Sequence, residues 1–315
     1  MTDSQHAAPA AGKAAGRCLL TVHAHPDDES EFGGATVARY HHEGVHTVLV
    51  CCTDGGSGRI LNPEVGQVGD RTNIAQIRRL ELKNAAAIVG YDELVMLDYP
   101  DSGSVGLTER SPDCFARIPL EGPVGRVVEV IRRTRPQVIV TYVDDQRVYP
   151  HPDHIRAHEV ALLAFDAAGD AAAYPAAGPA WQPLKLYYTL ASKQRRRTIN
   201  KKYLALGMQA PFTAREGAGL QGRGDPELAP EQARVTTRIE VAPFAHKWIE
   251  GMRAHRSQTK PALAETLSIA PEAIPDVYGF DEYILARDLT GRDERAGLKE
   301  TDLFAGVDCQ GDEVA

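Results

Sequence analysis

Short apolar runs alternate with longer stretches of helical periodicity through the first half of the chain. Residues 19–22 (Leu-Leu-Thr-Val), 45–52, 94–97 and 138–142 are compact and aliphatic or β-branched, without the polar alternation of a half-solvated strand. That pattern predicts strands buried on both faces of a parallel sheet. Between them, 35–42, 71–89 and 122–134 carry apolar residues at helical spacing, the second through Ile74, Ile77, Leu80, Leu82 and 85–87; Gly44, Gly90 and Pro136 supply stops. A further helix is expected over 155–168, starting just after His154, from Ile155, Val160, Leu162, Leu163 and Phe165. Strand and helix in strict alternation predict an α/β fold: three-layer, Rossmann-like, with a mostly parallel sheet and helices on both faces.

Beyond 170 the pattern loosens. An Ala/Pro/Gly connection over 171–183 precedes strand-like 184–190 and 235–241, which are separated by a basic helix and a Gly/Pro-rich segment, 215–230. A helix over 244–255 and a last strand over 283–286 follow. The expected organisation is a disordered tail over 1–16, a Rossmann-like catalytic core over 17–170, an extension over 171–307 that packs on the core and forms substrate walls, and a tail over 308–315. There is no internal repeat.

Composition narrows the partners. A net charge of −8 over 315 residues argues against a general nucleic-acid or acidic-membrane binder. Arg195, Arg196 and Arg197 with Lys201 and Lys202 form a local basic cluster, read as a solvated helix face. No apolar run approaches the ~20 residues that a membrane-spanning helix needs. The N-terminal stretch lacks the apolar core of a signal peptide. Five cysteines, an odd number without zinc-ligand spacing, point to a reducing, cytoplasmic setting, with Cys51 and Cys52 packed in the core.

The chemistry concentrates where two of the apolar runs end. The first is followed by His23-Ala24-His25-Pro26-Asp27-Asp28-Glu29-Ser30, the fourth by Tyr149-Pro150-His151-Pro152-Asp153-His154. Carboxyl ends of strands are where open α/β sheets bind ligands. Pro26 ends the ladder, having no N–H. His25 and Asp28, three apart on the turn, can converge on one point while Asp27 points elsewhere, and a third ligand must come from the second cluster. His25, Asp28 and His154 make the donor set of a catalytic zinc site, although Fe2+ accepts the same ligands. Asp27 is then the general base. His151, as an imidazolium held by Asp153, would stabilise an oxyanion or protonate a leaving amine, and Tyr149 would polarise a carbonyl.

Other groups near these motifs have plainer readings. His23 packs behind the first cluster without a ligand role, His158 is the competing ligand one turn after His154, and His41, His42 and His46 are solvated. The loop 54–58 is glycine-rich but lacks the P-loop lysine and the GxGxxG spacing, so it is expected as a flexible active-site loop. The third strand should deliver Asp98, Tyr99, Asp101 and Ser102 to the same sheet edge.

At these residues the sequence resembles the LmbE/PIG-L family of metal-dependent deacetylases, whose signature pairs A-H-P-D-D-E with a downstream H-P-D-H; both are intact, at 24–29 and 151–154. Further agreement at 60–63, 98–103, 113–115, 150–156, 185–188 and 234–238 is most similar to the mycothiol S-conjugate amidase branch, over roughly 18–307. The resemblance implies zinc on His25, Asp28 and His154, Asp27 as base, and His151 with Tyr149 around the tetrahedral intermediate. It also implies cleavage of the amide between an N-acetylcysteine S-conjugate and glucosaminyl-inositol, releasing a mercapturic acid.

The departures from that pattern lie on the substrate side. Phe32 stands where the amidases commonly carry Lys, the loop after Thr53 lacks a Glu after its glycine, and 143–148 replaces an Asp-x-Asn-Gly-Gly loop with one residue more. A paralogue serving one pathway's conjugate, as in antibiotic biosynthesis, would show this combination. The expected partner is a small thiol-sugar conjugate, with no nucleic acid, no membrane and a possible homo-oligomer. The alternatives are a deacetylase of N-acetylglucosaminyl-inositol or another N-acetyl sugar and, from another class, a non-catalytic sugar-binding Rossmann-like protein.

Overall fold

A computed structural model describes residues 16–107, 109–144, 150–190, 192–212, 234–292 and 299–307. The first strand, β1 (Cys18–His23), is buried along its whole length. Its side chains feed two cores. Leu20 and Val22 join a cluster with Val127, Ile131, Val160 and Phe165, and Leu19 joins one with Val37, Leu82 and Val89 on the opposite face. A strand covered on both faces is largely apolar on both, which is why the run shows no polar alternation.

The chain continues through α1 (Asp28–Glu31), α2 (Gly34–His42), β2 (His46–Thr53), α3 (Ile74–Val89), β3 (Glu93–Tyr99), α4 (Glu121–Thr134), β4 (Val138–Tyr142) and α5 (Pro152–Ala168). It then runs through β5 (Lys185–Leu190), α6 (Lys193–Ala205), β6 (Thr237–Glu240), α7 (Ala245–Ala254), α8 (Pro261–Thr266), α9 (Ile274–Val277) and β7 (Phe280–Asp288). The strands form one seven-stranded sheet in the order β3-β2-β1-β4-β5-β7-β6. The pairs β1/β2, β1/β4, β2/β3 and β4/β5 are parallel, and β7 is antiparallel to both β5 and β6. The fold is thus α/β with a mostly parallel sheet, and the second half of the chain extends the same sheet. β2 and β4 flank β1 on opposite sides, so the chain reverses direction across the sheet at β1/β4, the crevice where such folds bind ligands.

Several boundaries differ from the sequence expectation. α5 starts at Pro152 rather than after His154, because proline fits the first helical turn, where an N–H would go unpaired, and His151 caps it by accepting the Asp153 N–H. The turn that leaves the first strand runs into the single helical turn α1, and β7 runs longer than 283–286. On the basic helix α6, Arg195 pairs with Asp281 at 2.7 Å and Lys202 with Asp276 at 3.0 Å.

Cys18, Cys51, Cys52 and Cys114 are buried free thiols. The segment 215–230, Cys309 and the expected tails lie outside the described residues, Gly16 apart. Among the described residues, no helix is long and apolar enough to cross a membrane.

Candidate active site

The segment after β1 is shaped by one residue in an uncommon conformation. Asp27 has φ 110° and ψ −29°, in the left-handed region that non-glycine residues occupy at a cost of order 1–3 kcal/mol. Its amide donates to Glu29 Oε2 at 2.9 Å, and its carbonyl accepts from the Ser30 and Glu31 amides, both at 3.1 Å. The backbone reversal sends neighbouring carboxylates in different directions. Asp27 Oδ2 lies 3.1 Å from Nη2 of Arg78, whereas Asp28 is buried between imidazoles.

Asp28 Oδ2 accepts the His25 amide at 2.7 Å and the Tyr142 hydroxyl at 2.6 Å, and lies 3.2 Å from His25 Nδ1. Its other oxygen is 3.3 Å from His154 Nε2. Burial alone would raise the Asp28 carboxyl, but His154 and His25 outweigh it and hold it well below the usual carboxylate range. Asp27 moves the other way, raised by burial against the pull of Arg78. The second cluster meets the first here because α5 starts so early: the His151 ring is 4.5 Å from that of His25 and 5.2 Å from that of His154.

Nitrogens of His25, His151 and His154 lie within 4.8 Å of one another, as do donor atoms of His25, Asp101, His151 and Asp153. His151, expected as an acid, is therefore also within ligand reach, while Asp28, expected as a ligand, touches two of the three imidazoles. Two imidazoles and a carboxylate in mutual contact are a donor set that suits a divalent ion with an open coordination position.

The role expected of Asp153 changes. Its carboxylate accepts the Ser102 amide at 2.9 Å and the Ser102 hydroxyl, and faces His25 Nε2 at 3.2 Å. What it gives His151 is its backbone N–H, 3.2 Å from Nδ1. The physical reason is helical geometry, which sets the side chain of the capping residue over the first-turn amides. A nitrogen that accepts carries no proton, so His151 is neutral with its hydrogen on Nε2. Burial and the neighbouring His25 and His154 push its pKa down to about 3. Tyr149, with most of the altered loop 143–148, lies outside the described residues.

Arg78 reaches the site from α3, and neither cluster motif marks it. It is 4% exposed and donates to the Pro26 carbonyl, to Asp27 and, at 3.1 Å, to the Gly55 carbonyl. Gly55 has φ +65°, and a Cβ there would stand 2.6 Å from Arg78 Nη1, so this glycine of the 54–58 loop is required by close approach. The missed signal was position: Arg78 falls on the apolar face of α3 between Ile74 and Leu82, both buried, where a charge needs a reason. Tyr142 ends the apolar run 138–142, and nothing local in the sequence marks its hydroxyl. His158 Nδ1 is bonded to the Tyr142 carbonyl at 2.9 Å. His23 is fully buried, its ring 5.5 Å from Tyr142. The half-buried ring of Phe32 is 5.8 Å from His154, and His41 and His46 approach Asp92 at 3.3 and 3.6 Å.

Comparison with known proteins gives the family. Residues 20–165 match the family model PIG-L, GlcNAc-PI de-N-acetylase. The chain is 36% identical to the mycothiol S-conjugate amidase of Streptomyces coelicolor, covering 92% of this chain and 97% of that one. It is 38% identical to the 1D-myo-inositol 2-acetamido-2-deoxy-alpha-D-glucopyranoside deacetylase of Thermobifida fusca, covering 92% and 99%. The N,N'-diacetylchitobiose deacetylase of Pyrococcus horikoshii shares the fold, with a TM-score of 0.59 at 15% identity over 88% of this chain and 86% of that one. With relatives at this identity matched over nearly their whole length, the chain belongs to the PIG-L family and is a hydrolase of amide carbon–nitrogen bonds.

Proposed function

We propose that this hydrolase cleaves the amide of a mycothiol S-conjugate, giving an N-acetylcysteine S-conjugate and glucosaminyl-inositol, within a pathway that makes one such conjugate. The observation that carries the chemistry is the pair of adjacent carboxylates with opposite surroundings. Asp28 is clamped between His25 and His154 with a depressed pKa, and Asp27 is turned away on a left-handed backbone with a raised one. Environments that push two titratable groups apart separate their jobs.

His25, Asp28 and His154 would hold a zinc ion, with Fe2+ as the other candidate. The metal would supply Lewis acidity, polarising the amide carbonyl and making water acidic near pH 7. The chain's own groups do the rest. Asp27 takes the proton from the attacking water, its carboxylate aimed by Arg78. His151, neutral and bonded at Nδ1, donates its Nε2 hydrogen to the carbonyl oxygen as negative charge develops there. Asp153 orients both rings, His151 through its backbone N–H and His25 through its carboxylate at Nε2. Asp27 then returns its proton to the amine nitrogen as the carbon–nitrogen bond breaks. Tyr149 is assigned to the same oxygen as a phenolic donor.

The 36% identity to a mycothiol S-conjugate amidase supports this reading; Phe32, standing where the amidases commonly carry Lys, packs its half-buried ring against Tyr142 and His154 and separates neither reaction from the other. The 38% identity to a deacetylase favours the second reading, removal of acetate from N-acetylglucosaminyl-inositol. Mass spectrometry of the products from both compounds offered together decides between them. A mercapturic acid is expected, and acetate alone overturns the amidase reading. For the mechanism, Asp27→Asn should keep its zinc and lose about 10²–10⁴-fold in turnover; full activity would remove Asp27 as the base.

A further inference from the structure

The C-terminal half of the chain reaches the backbone of Asp27 through a buried relay. Glu29 is fully buried. Its Oε2 accepts the Asp27 amide at 2.9 Å, and its Oε1 accepts the Ser30 hydroxyl at 2.6 Å and Nε2 of His255 at 2.7 Å. His255, 1% exposed, is the residue at which α7 ends, 226 positions further along the chain.

Two features show that this approach is built in. A Cβ on Gly251 of α7 would fall 2.5 Å from the Ser30 hydroxyl, so the helix lies against the 28–31 turn as closely as a glycine allows. Two residues past His255, Ser257 gives Glu81 both its amide and its hydroxyl, each at 2.6 Å. Glu81 is on α3, three residues from Arg78. The turn at 255–257 therefore braces both supports of Asp27: the carboxylate that holds its amide and the helix that carries the arginine on its side chain.

We propose that His255 is a positioning residue for Asp27, holding the left-handed backbone there through Glu29 so that the Asp27 carboxylate meets the attacking water. This rests on the reading of Asp27 as the base. Without the His255 donor, the Glu29 carboxylate keeps only the neighbouring Ser30 hydroxyl on Oε1 and loses its one anchor from the far half of the chain, so its hold on the Asp27 amide, the bond that offsets the unfavourable φ, weakens. Asp27 then relaxes toward an ordinary turn, and its oxygens move relative to the bound substrate.

The test compares zinc-loaded wild type with His255→Leu, which has no donor, and His255→Gln, whose amide nitrogen reaches about as far as Nε2. The probes are a mycothiol S-conjugate and N-acetylglucosaminyl-inositol. His255→Leu should lower kcat by about 10–100-fold, the cost of a misplacement near 1 Å, with KM and zinc content unchanged, and His255→Gln should restore most of it. In an Asp27→Asn background, His255→Leu should cost nothing further, since both changes act through one group. Equal impairment of the leucine and glutamine variants with matching loss of zinc, or a full further loss in the Asp27→Asn background, overturns the proposal. An inactive Asp27→Asn beside a fully active His255→Leu overturns it while leaving the base in place; an active Asp27→Asn overturns the base itself. Should His255→Leu not fold, His255→Asn, too short to reach Glu29, takes its place. A crystal structure of the variant reads the same point without turnover: Asp27 is expected to leave φ near 110°, and its retention there with the Arg78 contact intact overturns the proposal.

Discussion

Tyr142 donates its hydroxyl to Asp28 Oδ2 at 2.6 Å, and its ring lies 4.3 Å from that of His154 at an interplanar angle of 12°. One side chain on the last residue of β4 thus orients two of the three groups proposed to hold the metal. Tyr142→Phe keeps the stacking and removes both bonds of the hydroxyl, the one given to Asp28 and the one accepted from the Ala24 amide. It should weaken zinc binding by about 10–100-fold, the usual cost of losing a partner behind a ligand, measured by competition with a chelator. Unchanged affinity would show that Asp28 needs no such support.

Arg78→Met should destabilise the protein by about 2–4 kcal/mol, because it leaves the buried Pro26 and Gly55 carbonyls without their donor and Asp27 without its countercharge. Urea unfolding measures this. The variant should also lose turnover with little change in KM, since Asp27 is no longer aimed. Gly55→Ala should mimic part of the effect through the clash with Arg78.

His23 lies fully buried beside the site, and neither ring nitrogen has a hydrogen-bond partner among the described residues. Replacing such a group by an apolar one of similar size removes a desolvation cost. His23→Leu should therefore leave stability unchanged or raise it by about 1–2 kcal/mol, read as Tm. A loss of several degrees would mean that the imidazole has a partner, such as an internal water.

Glu300 sets an acid-stability limit away from the site. It bonds Lys185 at 2.8 Å, Tyr187 and Arg292, and Lys185 is fully buried. Burial would raise the Glu300 carboxyl, but its bonds to Lys185, Tyr187 and Arg292 lower it below the ordinary glutamate value. A carboxylate with a depressed folded pKa contributes stability that is present above its unfolded pKa, near 4.5, and is lost as pH falls through the folded value. Wild type should therefore exceed Glu300→Gln in stability by several kcal/mol at pH 7, with the gap closing steadily below about pH 4.5. A gap independent of pH would mean that the charge on Glu300 does not matter.

The elements were legible where burial is two-sided. Leu19, Leu20 and Val22 cannot serve a solvated strand, and Ile74, Leu82 and Val89 repeat at helical spacing, so β1 and α3 follow from pattern alone. The start of α5 was not legible, because proline is allowed both before a helix and in its first turn; only the His151 cap to the Asp153 amide decides between them. The placement of Asp153 on Ser102 and His25 depends on β3 ending beside α5, a juxtaposition 51 residues long in sequence.

The sequence by itself determined the sheet's buried strands, the two clusters at strand ends and the residue types that can hold a metal and move a proton, because each of these is written in local spacing and side-chain chemistry. Only the tertiary structure decided who holds whom. Arg78 and Tyr142 reach the site from a helix face and a strand end, and His255 reaches it from the far half of the chain. Such contacts are set by the β1/β4 neighbourhood for Tyr142 and by the packing of α3 and α7 around α1 for Arg78 and His255, and packing partners distant along the chain leave no periodicity to read.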